Sequence, residues 1–398
     1  MCIPGLLLAE SPPGALLVIA ELALLVAISE FLAQRTFLRH LGSALLVIVL
    51  TAIAANLPAL PVPVYGQDGG LYDEIFGTVA PLGVFWLLLG VDLRRVLGAG
   101  RDILVVFAAG ATGVFLGVGL AMAAIHGADR FGEYAAALGG MFVGTYVGGS
   151  ANFNAVALEY GIPQNAPTLY AGATVVDAAA TTVWMILGVA IPRWLARHEP
   201  EAESAPATPT TEELASADAE TVTPLELAAV LALGGFALLA SGAASTWLSE
   251  TTGLRVASML VLSTLALLLA QLPIVQRLRG PRALGMLSVL VFLAVIGALC
   301  DVKALIALAE LGPPLVAFVA LALLVHGFVT FMTARLLRIH PVVAAVASQA
   351  CVGGGTSALA LARSLGRSDL VLPAILIGSL GTALGNFLGF GMASWLGS

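Results

Sequence analysis

The sequence predicts an all-α integral membrane protein built from two inverted-topology repeats. Three observations carry this: an extreme apolar composition, one hydrophilic stretch that halves the chain, and a glycine motif that recurs at matching places in the two halves. Of 398 residues, 59% are hydrophobic and only 10% charged, and the mean hydropathy is +1.01. Soluble domains run near 45–50% apolar and about 25% charged. Composition therefore excludes an ordinary soluble enzyme, a disordered chain and a nucleic-acid binder. The net charge of −7 says little about the membrane body. Seven acids (Glu199, Glu201, Glu203, Glu212, Glu213, Asp218, Glu220) fall in the hydrophilic stretch.

A helix needs about 20 apolar residues to cross a bilayer. Twelve such segments are expected: 14–34, 41–60, 71–91, 101–125, 134–158, 167–192, 224–247, 255–273, 284–300, 312–336, 341–362 and 370–396. The N-terminus lacks a basic n-region, so the first segment is expected to stay as a span rather than be cleaved. The linker, 193–222, is marked by residues 197–224, which are rich in Ala, Pro, Thr, Ser and Glu and hold no aromatic residue. Such a segment cannot bury enough surface to fold and reads as a disordered acidic linker. It separates a first repeat, 1–192, from a second, 223–398. Cys2, Cys300 and Cys351 are too scattered for a disulfide framework or a metal site.

The repeat rests on VGGSANFNAVA (147–157) and VGGGTSALALA (352–362). Asp92 and Asp301 also close the third segment of each half. The distribution of Lys and Arg, which accumulate on the cytoplasmic side, tests the topology. If all twelve segments cross, basic residues split almost evenly between the two faces. If segments five and eleven dip in and return, fourteen of the 17 basic residues become cytoplasmic. Only Arg130, Arg255 and Lys303 stay outside. The second arrangement is expected: five crossings per half, both termini outside, the linker cytoplasmic, and a re-entrant or broken helix at each Gly-Gly. Glycine permits the sharp turn, and non-helical backbone at that depth survives only where protein buries it or it lines a wet cavity. Interrupted helices in inverted repeats, meeting near the midplane, are the architecture of many secondary transporters.

Asp177 is the most informative residue. It lies mid-way along segment six, where a charge is costly and normally marks an ion or proton path. Thr174 and Thr181 share its helical face, which suits Na⁺ or a titrating proton. Segment five adds Thr145, Tyr146, Gly148, Gly149, Ser150, Asn152 and Asn154. Segment eleven adds Ser348, Gln349, Gly353, Gly354, Thr356 and Ser357, and segment twelve adds Thr382 and Asn386. Amides and freed carbonyls at the tips can ligate a cation, and half-helix N-termini can hold an anionic group. The expected coupling residues are Asp177, Thr174, Thr181 and Asn152. The expected substrate-binding residues are Gly148, Gly149, Ser150, Asn152, Asn154, Gly353, Gly354, Thr356, Ser357 and Asn386. A Na⁺ is placed at Asp177, Asn152 and Thr356, and no other cofactor is expected. Glu21 and His326 are weaker candidates; a packed, hydrogen-bonded histidine is the simpler reading of the latter. No nucleophile elbow, no close carboxylate pair and no zinc-ligand spacing occurs, so no enzyme is expected.

GTYVGGSANFNAVA, the later VDAAATT, SQACVGGGTSALALA and LPAILIGSLGTALGNFLG together resemble an uncharacterised membrane-protein family, catalogued as domain of unknown function 819 and found in bacteria and plant plastids. The resemblance spans the chain apart from the linker. That family is grouped with the cation:proton antiporter and anion transporter superfamily, beside the sodium–glutamate, sodium–citrate and bile-acid symporters. The resemblance implies that Gly148, Gly149, Asn152 and Asp177 belong to a transport site, with Gly353, Gly354, Thr356 and Ser357 opposite. This chain departs from the family pattern at Gln349, Cys351 and Gly355. The resemblance also implies a core of segments four to six and ten to twelve that moves against a scaffold, the scaffold forming a homodimer interface.

The expectation is thus a multi-pass transporter of the inner (plasma) membrane. It would move a small organic solute, organic anions included, by alternating access coupled to Na⁺ or H⁺. A monovalent cation/proton antiporter is the alternative and a passive channel the second. Expected partners are the solute or ion, the bilayer and a second copy, and no nucleic acid.

Overall fold

The computed structural model describes residues 14–36, 42–56, 70–195, 222–253, 256–299 and 304–397. Among them all regular structure is helical. The first half contains α1 (Ala15–Arg35), α2 (Gly42–Asn56), α3 (Leu71–Leu88), α4 (Arg101–Ala124), α5 (Ala135–Gly148), α6 (Ser150–Glu159) and α7 (Pro167–Leu195). The second contains α8 (Pro224–Thr252), α9 (Ser258–Ala270), α10 (Pro281–Leu299), α11 (Ala304–Leu336), α12 (Pro341–Ser364) and α13 (Val371–Leu396). Nine helices among the described residues are long and apolar enough to cross a membrane. The chain is a multi-pass membrane protein by this count. Almost all of the linker, together with Cys2, Cys300, Asp301, Lys303 and Arg255, lies outside the described residues.

The helix ends follow local chemistry. Pro224, Pro281 and Pro341 open their helices, where a missing N–H costs nothing and φ is already helical. Thr223 and Glu226 close a reciprocal capping box on α8, which ends at Gly253 in the left-handed conformation. A single π-helical stretch, Ile75–Val79, interrupts α3.

Four expected spans differ in detail. Segment five is two helices, α5 and α6, divided at Gly149. Segments two and eight form helices of 15 and 13 residues, shorter than a full crossing. Segment ten extends N-terminally to Ala304, through Pro313 and Pro314.

The helices pack in two groups. In one, α13 lies along α5 and α12, α4 along α11, and α12 along α7 and α4. In the other, α10 packs on α2 and α3, α9 on α3 and α8, and α1 on α2 and α10. Several contacts have a partner when the halves are exchanged: α5–α13 with α12–α7, α2–α10 with α9–α3, α1–α2 with α8–α9, and α1–α10 with α8–α3. Small residues allow the closest approaches. Gly140 faces Gly389, Gly355 faces Gly378, and Gly381 faces the Val147 carbonyl. Such residues let backbones meet where hydrophobicity alone gives no drive to associate.

Candidate functional site

The site is built around two helix breaks. Gly149 has φ 89°, ψ 179° and separates α5 from α6. Gly354 has φ 75°, ψ −179° inside α12. Both conformations are open to glycine and strained for any residue with a Cβ. They occupy matching places in the two VGG motifs.

Asp177 sits half-buried on α7. The buried Thr145 hydroxyl, one turn before the first break, lies 3.5 Å from each of its carboxylate oxygens. The buried Tyr146 hydroxyl lies within electrostatic reach of the same carboxylate, yet makes no hydrogen bond of standard geometry. Among the described residues no Lys, Arg or His pairs with Asp177. A carboxylate at this depth without a protein cation can be balanced by a bound cation or a proton. Thr174 Oγ1 donates to the Tyr170 carbonyl at 2.9 Å, so its proton is engaged while its lone pairs stay free. Thr181 is half-buried on the same helix.

Asn152 is fully buried on the first turn of α6. Neither its Oδ1 nor its Nδ2 has a hydrogen-bond partner. Asn154 Oδ1 accepts from the Tyr170 hydroxyl at 2.5 Å, which ties α6 to α7, and its Nδ2 is unpartnered. Asn386 Nδ2 donates to Ser263 Oγ at 2.6 Å, so this residue ties α13 to α9 across the two helix groups. Ser150 and Thr356, each just past its break, are exposed. The proposed sodium set of Asp177, Asn152 and Thr356 thus contains one half-buried, one fully buried and one exposed residue.

Around the second break several groups bond one another, and Gln349 Oε1 is left without a partner. Gln349 Nε2 donates to Ser357 Oγ at 3.2 Å, and Ser357 Oγ donates to the Gly354 carbonyl at 2.9 Å. Trp184 Nε1 donates to Ser348 Oγ at 3.0 Å. Ser348 Oγ is also 2.8 Å from His326 Nε2, and His326 Nδ1 is 2.8 Å from the Gly110 carbonyl. A carbonyl can only accept, so Nδ1 carries the proton and Nε2 accepts from Ser348. This chain joins α7, α12, α11 and α4 and leaves both nitrogens of His326 engaged.

Sequence reasoning missed Glu159. Its carboxylate accepts from the Ser258 hydroxyl and the Met259 N–H, both at 3.1 Å. The end of α6 thereby caps the start of α9, and a sequence separation of 99 positions hides this from any local pattern. Glu21, half-buried on α1, has one carboxylate oxygen without a partner. Asp92 accepts from the Arg94 N–H and pairs with Arg95 at 2.9 Å. Among the described residues no cluster of three His, Cys, Asp or Glu side chains could hold a metal ion. A monovalent cation would instead draw on the Asp177 carboxylate, the Thr145 hydroxyl and amide or carbonyl oxygens near the first break.

Comparison with known proteins bears on the whole chain. Residues 15–398 match the family described as "Protein of unknown function (DUF819)". A protein of Bacillus subtilis (strain 168), "Uncharacterized membrane protein YjcL", is 28% identical over 397 residues, covering 95% of this chain and 96% of its own length.

Proposed function

The chain belongs to the DUF819 family of proteins of unknown function, and we propose that it is a secondary active transporter. It moves a small polar solute by alternating access, coupled to Na⁺ or H⁺ at Asp177. The observation that carries this reading is Asp177 itself: a carboxylate mid-way along an apolar helix, beside a buried hydroxyl and a helix break, with no protein cation among the described residues to balance it. Two breaks of matching conformation, and helix contacts that recur when the halves are exchanged, support an internal repeat; its inversion, with five crossings per half, rests on the distribution of Lys and Arg. The bias of basic residues supports the orientation, with the linker in the cytoplasm. The two helix groups correspond to a moving core and a scaffold, and the scaffold is the natural dimer surface. This architecture agrees with placing the family beside the sodium-coupled anion symporters.

A cation/proton antiporter is the second reading. It is favoured by the single carboxylate, which could hold a proton and a cation in turn. Thermal unfolding of the purified protein in NaCl against KCl, at several pH values and with a solute library, tests the proposal. A ligand at 100 times its Kd adds about 2.7 kcal/mol of stability. Stabilisation by Na⁺ and by one solute, each strengthening the other, is the result expected of a symporter. Na⁺ stabilisation that no solute alters points to the antiporter, and no response to Na⁺, pH or solute contradicts coupled transport.

A further inference from the structure

The two breaks are alike in backbone and opposite in side chains. With Val147 set on Val352, Gly149 falls on Gly354, Asn152 on Ser357 and Gly144 on Gln349. At the second break the long amide comes from before the turn and the short hydroxyl from after it. The two meet, and Ser357 in turn holds the Gly354 carbonyl. The half-helices of α12 are braced across their own break, and only Gln349 Oε1 is left without a partner. The Trp184–Ser348–His326 chain fixes the residue next to Gln349.

At the first break no brace can form. Gly144 has no side chain to reach across, and the amide comes from after the turn, as Asn152. That carboxamide is fully buried with both polar atoms unpartnered. It is held firmly in place. A Cβ on Gly148 or on Gly385 would fall well inside van der Waals contact distance of its Nδ2. A buried amide without partners is costly, and the serine of the equivalent position shows a cheaper solution in the same fold.

We infer that the first break alone supplies the side-chain ligands of the transported species, and that the second is its braced structural counterpart. The inference rests on the transport reading above and sharpens it. The site presents one carboxylate, hydroxyls and one free carboxamide. No Lys, Arg or His occurs between residues 131 and 192 or between 341 and 362. This set suits a monovalent cation together with a neutral solute that both donates and accepts hydrogen bonds. It does not suit a carboxylate clamped by basic side chains.

The test compares unfolding temperatures of the full-length parent, Asn152→Ala, Gln349→Ala and Ser357→Ala, first in sodium-free buffer and then over a Na⁺ titration. Without sodium, Asn152→Ala is expected to unfold at the parent temperature or above it, because an unpartnered group is removed. Gln349→Ala and Ser357→Ala are expected to unfold earlier. Over the titration, Asn152→Ala weakens apparent Na⁺ affinity by about tenfold or more, while Ser357→Ala keeps the parent affinity. Asn152→Ala unfolding as early as the brace variants without sodium makes the amide structural and overturns the inference. So does parent-like Na⁺ affinity in Asn152→Ala. A parent with no Na⁺ response counts against sodium coupling instead, and the sodium-free comparison then decides the asymmetry by itself.

Discussion

At the scale of single residues, the site depends on side chains that are absent as much as on those present. Gly148 and Gly385 leave the slot that Asn152 fills. Gly148→Ala and Gly385→Ala are each expected to destabilise the fold by about 1–3 kcal/mol, the usual cost of overpacking. Adding Asn152→Ala to Gly385→Ala should recover part of that loss, because the amide is the nearest obstacle. Gly235→Ala, where a Cβ meets nothing within 4 Å, is the neutral control. Denaturation of the four variants in one detergent checks the series; equal losses at Gly235 and Gly385 would contradict the packing described. Several of these residues were legible in the sequence. Asp177 stands out because a charge amid apolar residues needs a reason, and the glycine pairs stand out because they recur. The pairing of Asp177 with Thr145 was not legible, because 32 residues separate them and only tertiary packing brings them together. Gln349 read as a departure from a family pattern, and the structure gives it a partner in Ser357. Asn386 read as a ligand; its Nδ2 bonds Ser263 while its buried Oδ1 has no partner.

At the scale of elements, hydropathy located nearly every long helix, because a span must be apolar along most of its length. It did not give the short ones their limits. The described helices of segments two and eight, Gly42–Asn56 and Ser258–Ala270, are shorter than the apolar stretches that announce them, since hydropathy reports burial and not backbone conformation. The glycine motifs marked where the backbone turns, but whether the surrounding segments cross or return is a separate matter. Cysteine labelling from each side of the membrane addresses it, in a background without the native three cysteines. Asn165, exposed between α6 and α7, is preferable to Gly161, whose φ of 62° disfavours any side chain. Asn165→Cys should label from outside and Ser368→Cys from the cytoplasm. Labelling of Asn165→Cys only from the cytoplasm would mean that the fifth segment crosses, and would remove the basis of the charge argument.

At the scale of the whole molecule, specific side-chain bonds tie the two helix groups together. Asn386 on α13 and Glu159 on α6 both hold α9, while Trp86 and the Val230 carbonyl join α3 to α8 within the second group. The account of function joins this arrangement to one carboxylate. A proton and a metal cation compete for the same oxygens, so apparent Na⁺ affinity should fall as pH falls, and it should do so only while residue 177 can titrate. Asp177→Asn keeps the shape and removes both the charge and the titration. The most direct measurement is a Na⁺ titration of thermal stability for parent and Asp177→Asn at several pH values. The account predicts that Asp177→Asn is at least as stable as the parent without sodium, and that it loses the Na⁺-dependent shift and its pH dependence together. Asp177→Asn that retained a pH-dependent Na⁺ shift of parental size would contradict it.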